Sequence, residues 1–143
     1  MTHDTSDRQA RQICIHGHFY QPPRENAWLE HIERQPSAAP YHDWNERIAH
    51  ECYAANAAGR ILDDEGYIVD IVNNYERISF NIGPTLMQWP LDHRKPVYDA
   101  IVRADRRSAD RYEGHGNAIA QAFSHLIMPL ANLRDRRTQV SWA

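Results

Sequence analysis

Cysteine is almost missing from this chain: Cys14 and Cys52 are the only two in 143 residues. Neither belongs to a CxxC pair, so both read as reduced, buried thiols in a cytoplasmic protein. Cys14 has no evident base partner, which argues against a nucleophilic thiol. Long apolar runs are also lacking. None approaches the ~18 residues that mark a spanning helix, so no membrane partner is expected. The first ten residues, MTHDTSDRQA, have no basic start or apolar centre and do not form a signal peptide. An excess of positive charge is absent too. The formal net charge is −3, which leaves no electrostatic footprint for nucleic acid. The two basic clusters, Arg103 to Arg107 and Arg134 to Arg137, are interrupted by Asp and read as solvated faces. Internal repeats and low-complexity segments are lacking.

What is present suits one soluble globular domain, with 42% hydrophobic and 24% charged residues. Residues 1–12 read as a disordered start and 13–143 as the folded part. Ile13-Cys14-Ile15 is short, apolar and β-favouring, and predicts a buried strand. A long loop follows from His16 to about Tyr41, of the kind that is usually functional. Asp43 and Glu46 form a capping box that starts a helix at Trp44. Trp44, Ile48 and Cys52 are its expected core face. Gly59 or a neighbour should end it. A DDEG turn precedes a strand over Ile68 to Val72. Ile78 to Ile82 alternates like a second strand of the main pattern. A helix opens at Gly83-Pro84, and Pro90 should break it within two turns. Another helix runs from Pro96 to Tyr112 with Val97, Ile101 and Ala104 on one face. Ala118 to Ser124 is a third strand candidate, although its alanines also suit a helix, and Thr138 to Trp142 is a fourth β-favouring segment. Strands alternating with helices imply parallel β/α units. The length falls short of the ~200 to 250 residues of a complete β/α barrel.

The strongest chemical pattern is His16-Gly17-His18. Residues i and i+2 of an extended chain share a face, so two imidazoles should lie together at the C-terminal end of the first strand. That end carries the active site in parallel barrels. Imidazoles there serve as metal ligands, proton carriers or hydrogen-bond donors to sugar hydroxyls; a role in satisfying local backbone is the plainer alternative. The following residues, Phe19 to Asn26, mix aromatic rings with amide, guanidinium and carboxylate groups that match sugar rings and vicinal hydroxyls, or that fold the loop upon itself. Asn81 either points into a pocket or closes a turn. His125 is either a third convergent imidazole or a core histidine, and His115, between glycines, is a more mobile rim candidate. Of the four tryptophans, Trp28 is the one expected to contact a ligand, and Trp44, Trp89 and Trp142 are expected in the core. Asp43 and Glu46 are accounted for by capping, so no catalytic carboxylate pair emerges.

IHGHFYQPPREN, residues 15–26, resembles the first motif of family 57 glycoside hydrolases, where His-Gln-Pro follows the first barrel strand. His18 and Gln21-Pro22 match it, with Phe19-Tyr20 between them, a variant similar to that of long bacterial members. ISFNIGPTL, residues 78–86, resembles the second-strand segment of the family. AIAQAFSHLIMPLAN, residues 118–132, resembles the third, where a His precedes Pro-Leu. The resemblance runs from Ile13 to Trp142. It implies an α/β fold, the incomplete N-terminal portion of a parallel seven-stranded β/α barrel, with the rest of the barrel expected downstream. It also implies a retaining enzyme of the amylase or glucanotransferase type acting on α-glucans. Retention needs two carboxyl groups ~5 to 5.5 Å apart. In the family these are a Glu after the fourth strand and an Asp after the seventh, both expected beyond Ala143, so the segment alone is expected to be inactive. The expected substrate-binding set is His16, His18, Gln21, Trp28, Asn81 and His125, with an oligo- or polysaccharide as partner and no cofactor or metal. Two other readings fit the histidines: a metal-dependent barrel of the amidohydrolase or deacetylase type, and a non-catalytic carbohydrate-binding remnant.

Overall fold

A computed structural model describes residues 11–143. The first ten residues of the expected disordered start lie outside the described residues. The architecture is mixed α and β, with two small sheets and helices packed on one of them.

The first sheet pairs β1 (His16–Phe19) in parallel with a later strand, Ser79–Ile82. The first strand therefore begins at His16, immediately after the apolar run expected to form it. Ile13 is 91% and Ile15 62% exposed, and Cys14 is exposed rather than buried. Pairing decides this shift. Ile15 contributes only its carbonyl, which accepts from the Ser79 amide, and full register starts at His16 opposite Ser79. A local apolar signal cannot reveal which residues meet a partner strand.

From β1 the chain crosses a long loop and enters α1 (Trp44–Ile48), a π-helical segment (Ala49–Ala54) and the short α2 (Ala55–Ala57). The capping box is present: the Asp43 carboxylate accepts from the Glu46 amide at 3.0 Å. The buried file is Asn45, Ala49 and Tyr53, one residue on from the expected Trp44, Ile48 and Cys52, which flank it half-buried. Asn45 turns inward because its carboxamide oxygen accepts from Arg24 Nε at 3.2 Å. Next come β2 (Gly59–Leu62) and β3 (Ile68–Val72), an antiparallel hairpin closed by the expected turn. There Asp63 Oδ1 accepts from the amides of Glu65 and Tyr67, and Gly66 takes φ +88°, a left-handed conformation that favours glycine.

The strand paired with β1 is β4 (Ser79–Ile82), and α3 (Pro84–His93) leaves it directly. Pro90 does not stop α3 where expected; the helix continues to His93 with the Pro90 ring buried. α4 (Lys95–Arg111) matches expectation closely and buries Ile101, Ala104 and Ser108 at helical spacing. The third strand candidate reduces to one parallel bridge between Phe80 and Ala118. The fourth is a helix, α5 (Leu133–Trp142). Its start is fixed by Asn132, whose side-chain oxygen accepts from the Asp135 amide at 3.0 Å, and that cap outweighs the β preference of Thr138 and Val140. Trp142, expected in the core, is 63% exposed.

The parallel pair has two unlike faces. Phe19 and Phe80 turn toward the helices and join Tyr53 and Tyr75 in edge-to-face contacts, with ring centroids 5.2–6.3 Å apart. Gly17 leaves room for this cluster, since a Cβ there would meet the Phe19 ring at 2.7 Å. The opposite face carries His16 and His18 from β1, and Ser79 and Asn81 from β4.

Candidate functional site

The alternation that buries Phe19 and Phe80 puts His16, His18, Ser79 and Asn81 together on the other side of the sheet. Register then sets the pairs: His16 lies opposite Ser79 and His18 opposite Asn81. His16 Nδ1 meets Ser79 Oγ at 2.8 Å, and His16 Nε2 meets Asn81 Oδ1 at 3.1 Å. The same Asn81 oxygen meets His18 Nδ1 at 3.0 Å. Asn81 Nδ2 donates to Gln121 Oε1.

His125 arrives from the segment that follows the Ala118 bridge. The amide of Phe80 donates to the Asn117 carbonyl, and the amide of Ile119 donates to the Phe80 carbonyl. α4 holds this segment from behind. Ser108 Oγ accepts from the Asn117 amide and Asp105 Oδ1 from the Ala118 amide, at 2.8 and 2.9 Å. Seven residues further on, His125 Nε2 lies 3.0 Å from His18 Nε2. Tyr20 stacks on the His125 ring, with a centroid separation of 4.3 Å and planes 27° apart. The histidines are exposed on this face, so the cluster is open to solvent.

Four of the six expected residues are thus brought together: His16, His18, Asn81 and His125. Gln21 lies in an adjoining cavity of about 280 Å³, whose wall includes Arg24, Asn45, Leu86, Trp89 and Phe123. Its side-chain oxygen accepts from Arg24 Nη2 at 2.8 Å, and its side chain also bonds the Tyr53 hydroxyl. Burial raises the Tyr53 hydroxyl to about 12, against the downward pull of that bond and of the Arg24 charge. Trp28 stands apart. It is 91% exposed in a turn organised by Asn26, whose Oδ1 accepts from the Trp28 and Leu29 amides. His115 lies in the turn after α4, its amide donating to the Tyr112 carbonyl.

Two members of the cluster escaped the sequence reading. Ser79 had a usable signal, since it sits two residues before Asn81 and shares its face. Gln121 had none, because it lies in irregular chain whose path is set by the Phe80–Ala118 bridge.

Chemically, the cluster offers imidazole, hydroxyl and carboxamide groups without a carboxylate among them, backed by an aromatic ring. Such groups are suited to neutral hydroxylated ligands, because they include both hydrogen-bond donors and acceptors. Among the described residues no three His, Cys, Asp or Glu side chains form a group that could hold a metal ion. No helix among them is long and apolar enough to cross a membrane. Comparison with protein-family models, with curated proteins and with solved structures finds no match to this chain.

Proposed function

We propose that this chain supplies the sugar-binding wall of a retaining glycoside hydrolase of the family 57 type, as the N-terminal portion of its β/α barrel, with an α-glucan as substrate. The observation that carries this reading is the two-faced parallel pair. Helices cover its apolar side, while His16, His18, Asn81 and His125 occupy the other. Parallel sheets normally have both faces covered. A polar, open face on such a sheet suits the ligand-facing interior of a larger β/α structure. The three segments that resemble the family contribute one part each: His16 and His18 from the first, Asn81 from the second, His125 from the third. Double displacement by the family mechanism requires two carboxyl groups, and the resemblance assigns neither to these residues. Their part is to build the wall against which the sugar sits.

The metal-dependent reading has less support. The facing nitrogens of His18 and His125 are at hydrogen-bond distance from each other, and Asn81 occupies a nitrogen on each of His16 and His18.

Electrophoresis through gels containing soluble amylopectin tests the proposal. The chain is expected to be retarded relative to a glucan-free gel, and His125→Ala is expected to remove most of the retardation. Equal migration of the unmodified chain in both gels overturns the reading. Retardation that His125→Ala leaves unchanged moves the glucan site away from this cluster.

A further inference from the structure

We propose that Asn81 locks His16 and His18 into opposite tautomers, leaving Nδ1 of His125 as the imidazole nitrogen that accepts a hydrogen bond from the ligand. The clamp stands on geometry alone; the identity of the ligand as a sugar rests on the function proposed above.

A carboxamide oxygen can only accept. Asn81 Oδ1 touches His16 Nε2 at 3.1 Å and His18 Nδ1 at 3.0 Å. Both of those nitrogens must therefore carry hydrogen. The amide is held in this orientation because its Nδ2 donates to Gln121 Oε1. A neutral imidazole has one N–H and one lone pair. His16 is then the Nε2–H tautomer, with Nδ1 accepting from the Ser79 hydroxyl at 2.8 Å. His18 is the Nδ1–H tautomer, with its lone pair on Nε2. That lone pair faces His125 Nε2 at 3.0 Å, so His125 must donate there.

A chain of assignments thus runs from one amide oxygen through three rings. In it, both ring nitrogens of His16 and both of His18 are engaged within the cluster. Among the described residues, His125 is engaged through Nε2 alone, and Nδ1 keeps a lone pair. Tyr20, stacked at 4.3 Å, fixes the plane of that ring. The two histidines of the strand are therefore positioning residues, and His125 is the one that meets ligand. A lone pair there selects ligands with a hydroxyl or amide hydrogen to give, as every pyranose has.

Nitrogen-15 NMR of the imidazole rings tests this on the intact 143-residue chain, on the alkaline side where the ring signals no longer move with pH. The expected spectrum has hydrogen on Nε2 of His16, Nδ1 of His18 and Nε2 of His125. Asn81→Asp keeps an acceptor at the same place and is expected to preserve the pattern. Asn81→Leu removes it, and His16 and His18 are expected to relax to tautomer mixtures. If the unmodified chain has hydrogen on Nδ1 of His16 and Nε2 of His18, the amide is reversed and the clamp is overturned. This outcome needs no variant to fold.

Titration with maltotetraose adds the second arm. The inference expects the largest ring-nitrogen shift at Nδ1 of His125. A larger shift at His16 or His18 overturns the assignment of the ligand-facing ring. If the tautomers are as assigned and maltotetraose shifts no ring nitrogen, the clamp stands and the sugar reading falls.

Discussion

Asp43 combines burial with capping, and its titration reports both. Burial pushes its carboxyl up, but hydrogen bonds from His42 and from the amides of Glu46 and Asn45 outweigh this and hold it below the ordinary value of 3.8. A depressed folded value means stability that is present above the ordinary carboxylate range and lost as pH falls through the lower folded value. Replacement by Ala should cost about 1 kcal/mol in urea unfolding near neutral pH. Asp43→Asn keeps the cap and should flatten the acid limb. An unchanged acid limb in Asp43→Asn would show that the carboxylate does not carry this dependence. Tyr53 works in the opposite direction. Its folded value is about 12 against the ordinary 10. Its contribution is complete below the ordinary value and is lost as pH rises through about 12. Burial also raises Tyr75, the neighbouring aromatic in this core. Urea midpoints measured on the alkaline side should fall steeply, and Tyr53→Phe should reduce the slope without abolishing it. No change of slope in Tyr53→Phe would place its hydroxyl in solvent.

Among the elements, β4 has the central place. It pairs with β1, receives the Ala118 bridge, sends Phe80 into the helices and holds Asn81 on the opposite face. Phe80 is fully buried, so Phe80→Ala should cost roughly 3–5 kcal/mol. Leu130→Ala, at an 81% exposed position, should stay within about 0.5 kcal/mol. Denaturant unfolding of both variants checks the contrast, and similar losses would contradict the placement of the core.

The elements fixed by short-range chemistry were readable from sequence: the Asp43 cap, the turn at Asp63, and α4 with Ile101 and Ala104 inward. Those fixed by partners were not. β1 starts at His16 rather than Ile13 because β4 sets the register. The segment after Ala118 stays irregular apart from its bridge to Phe80. α5 resembles a strand in sequence because Thr138, Val140 and Trp142 favour β structure, and the Asn132 cap decides for helix. In the site, strand periodicity was enough to put His16 and His18 on one face, but Asn81 joins them only through the β1–β4 register, which the sequence does not show. It gave no means of seeing that the Gln21 side chain turns back to Arg24 or that Trp28 stands in solvent.

For the molecule as a whole, the division of the parallel sheet into a covered apolar face and an open polar face is the main functional feature. The β2–β3 hairpin likewise leaves apolar side chains uncovered, with Ile61, Leu62, Ile68, Val69 and Ile71 each about half exposed or more. The core lies between β1, β4, the π-helical segment and the helices α3 and α4, and the histidine cluster lies across the sheet from it.

A crystal structure of the chain with maltotetraose tests the central claim most directly. A pyranose ring is expected on the open face of β1 and β4, with a hydroxyl donating to Nδ1 of His125. Density for the sugar only in the cavity beside Gln21 and Trp89, with the histidine face unoccupied, would contradict it.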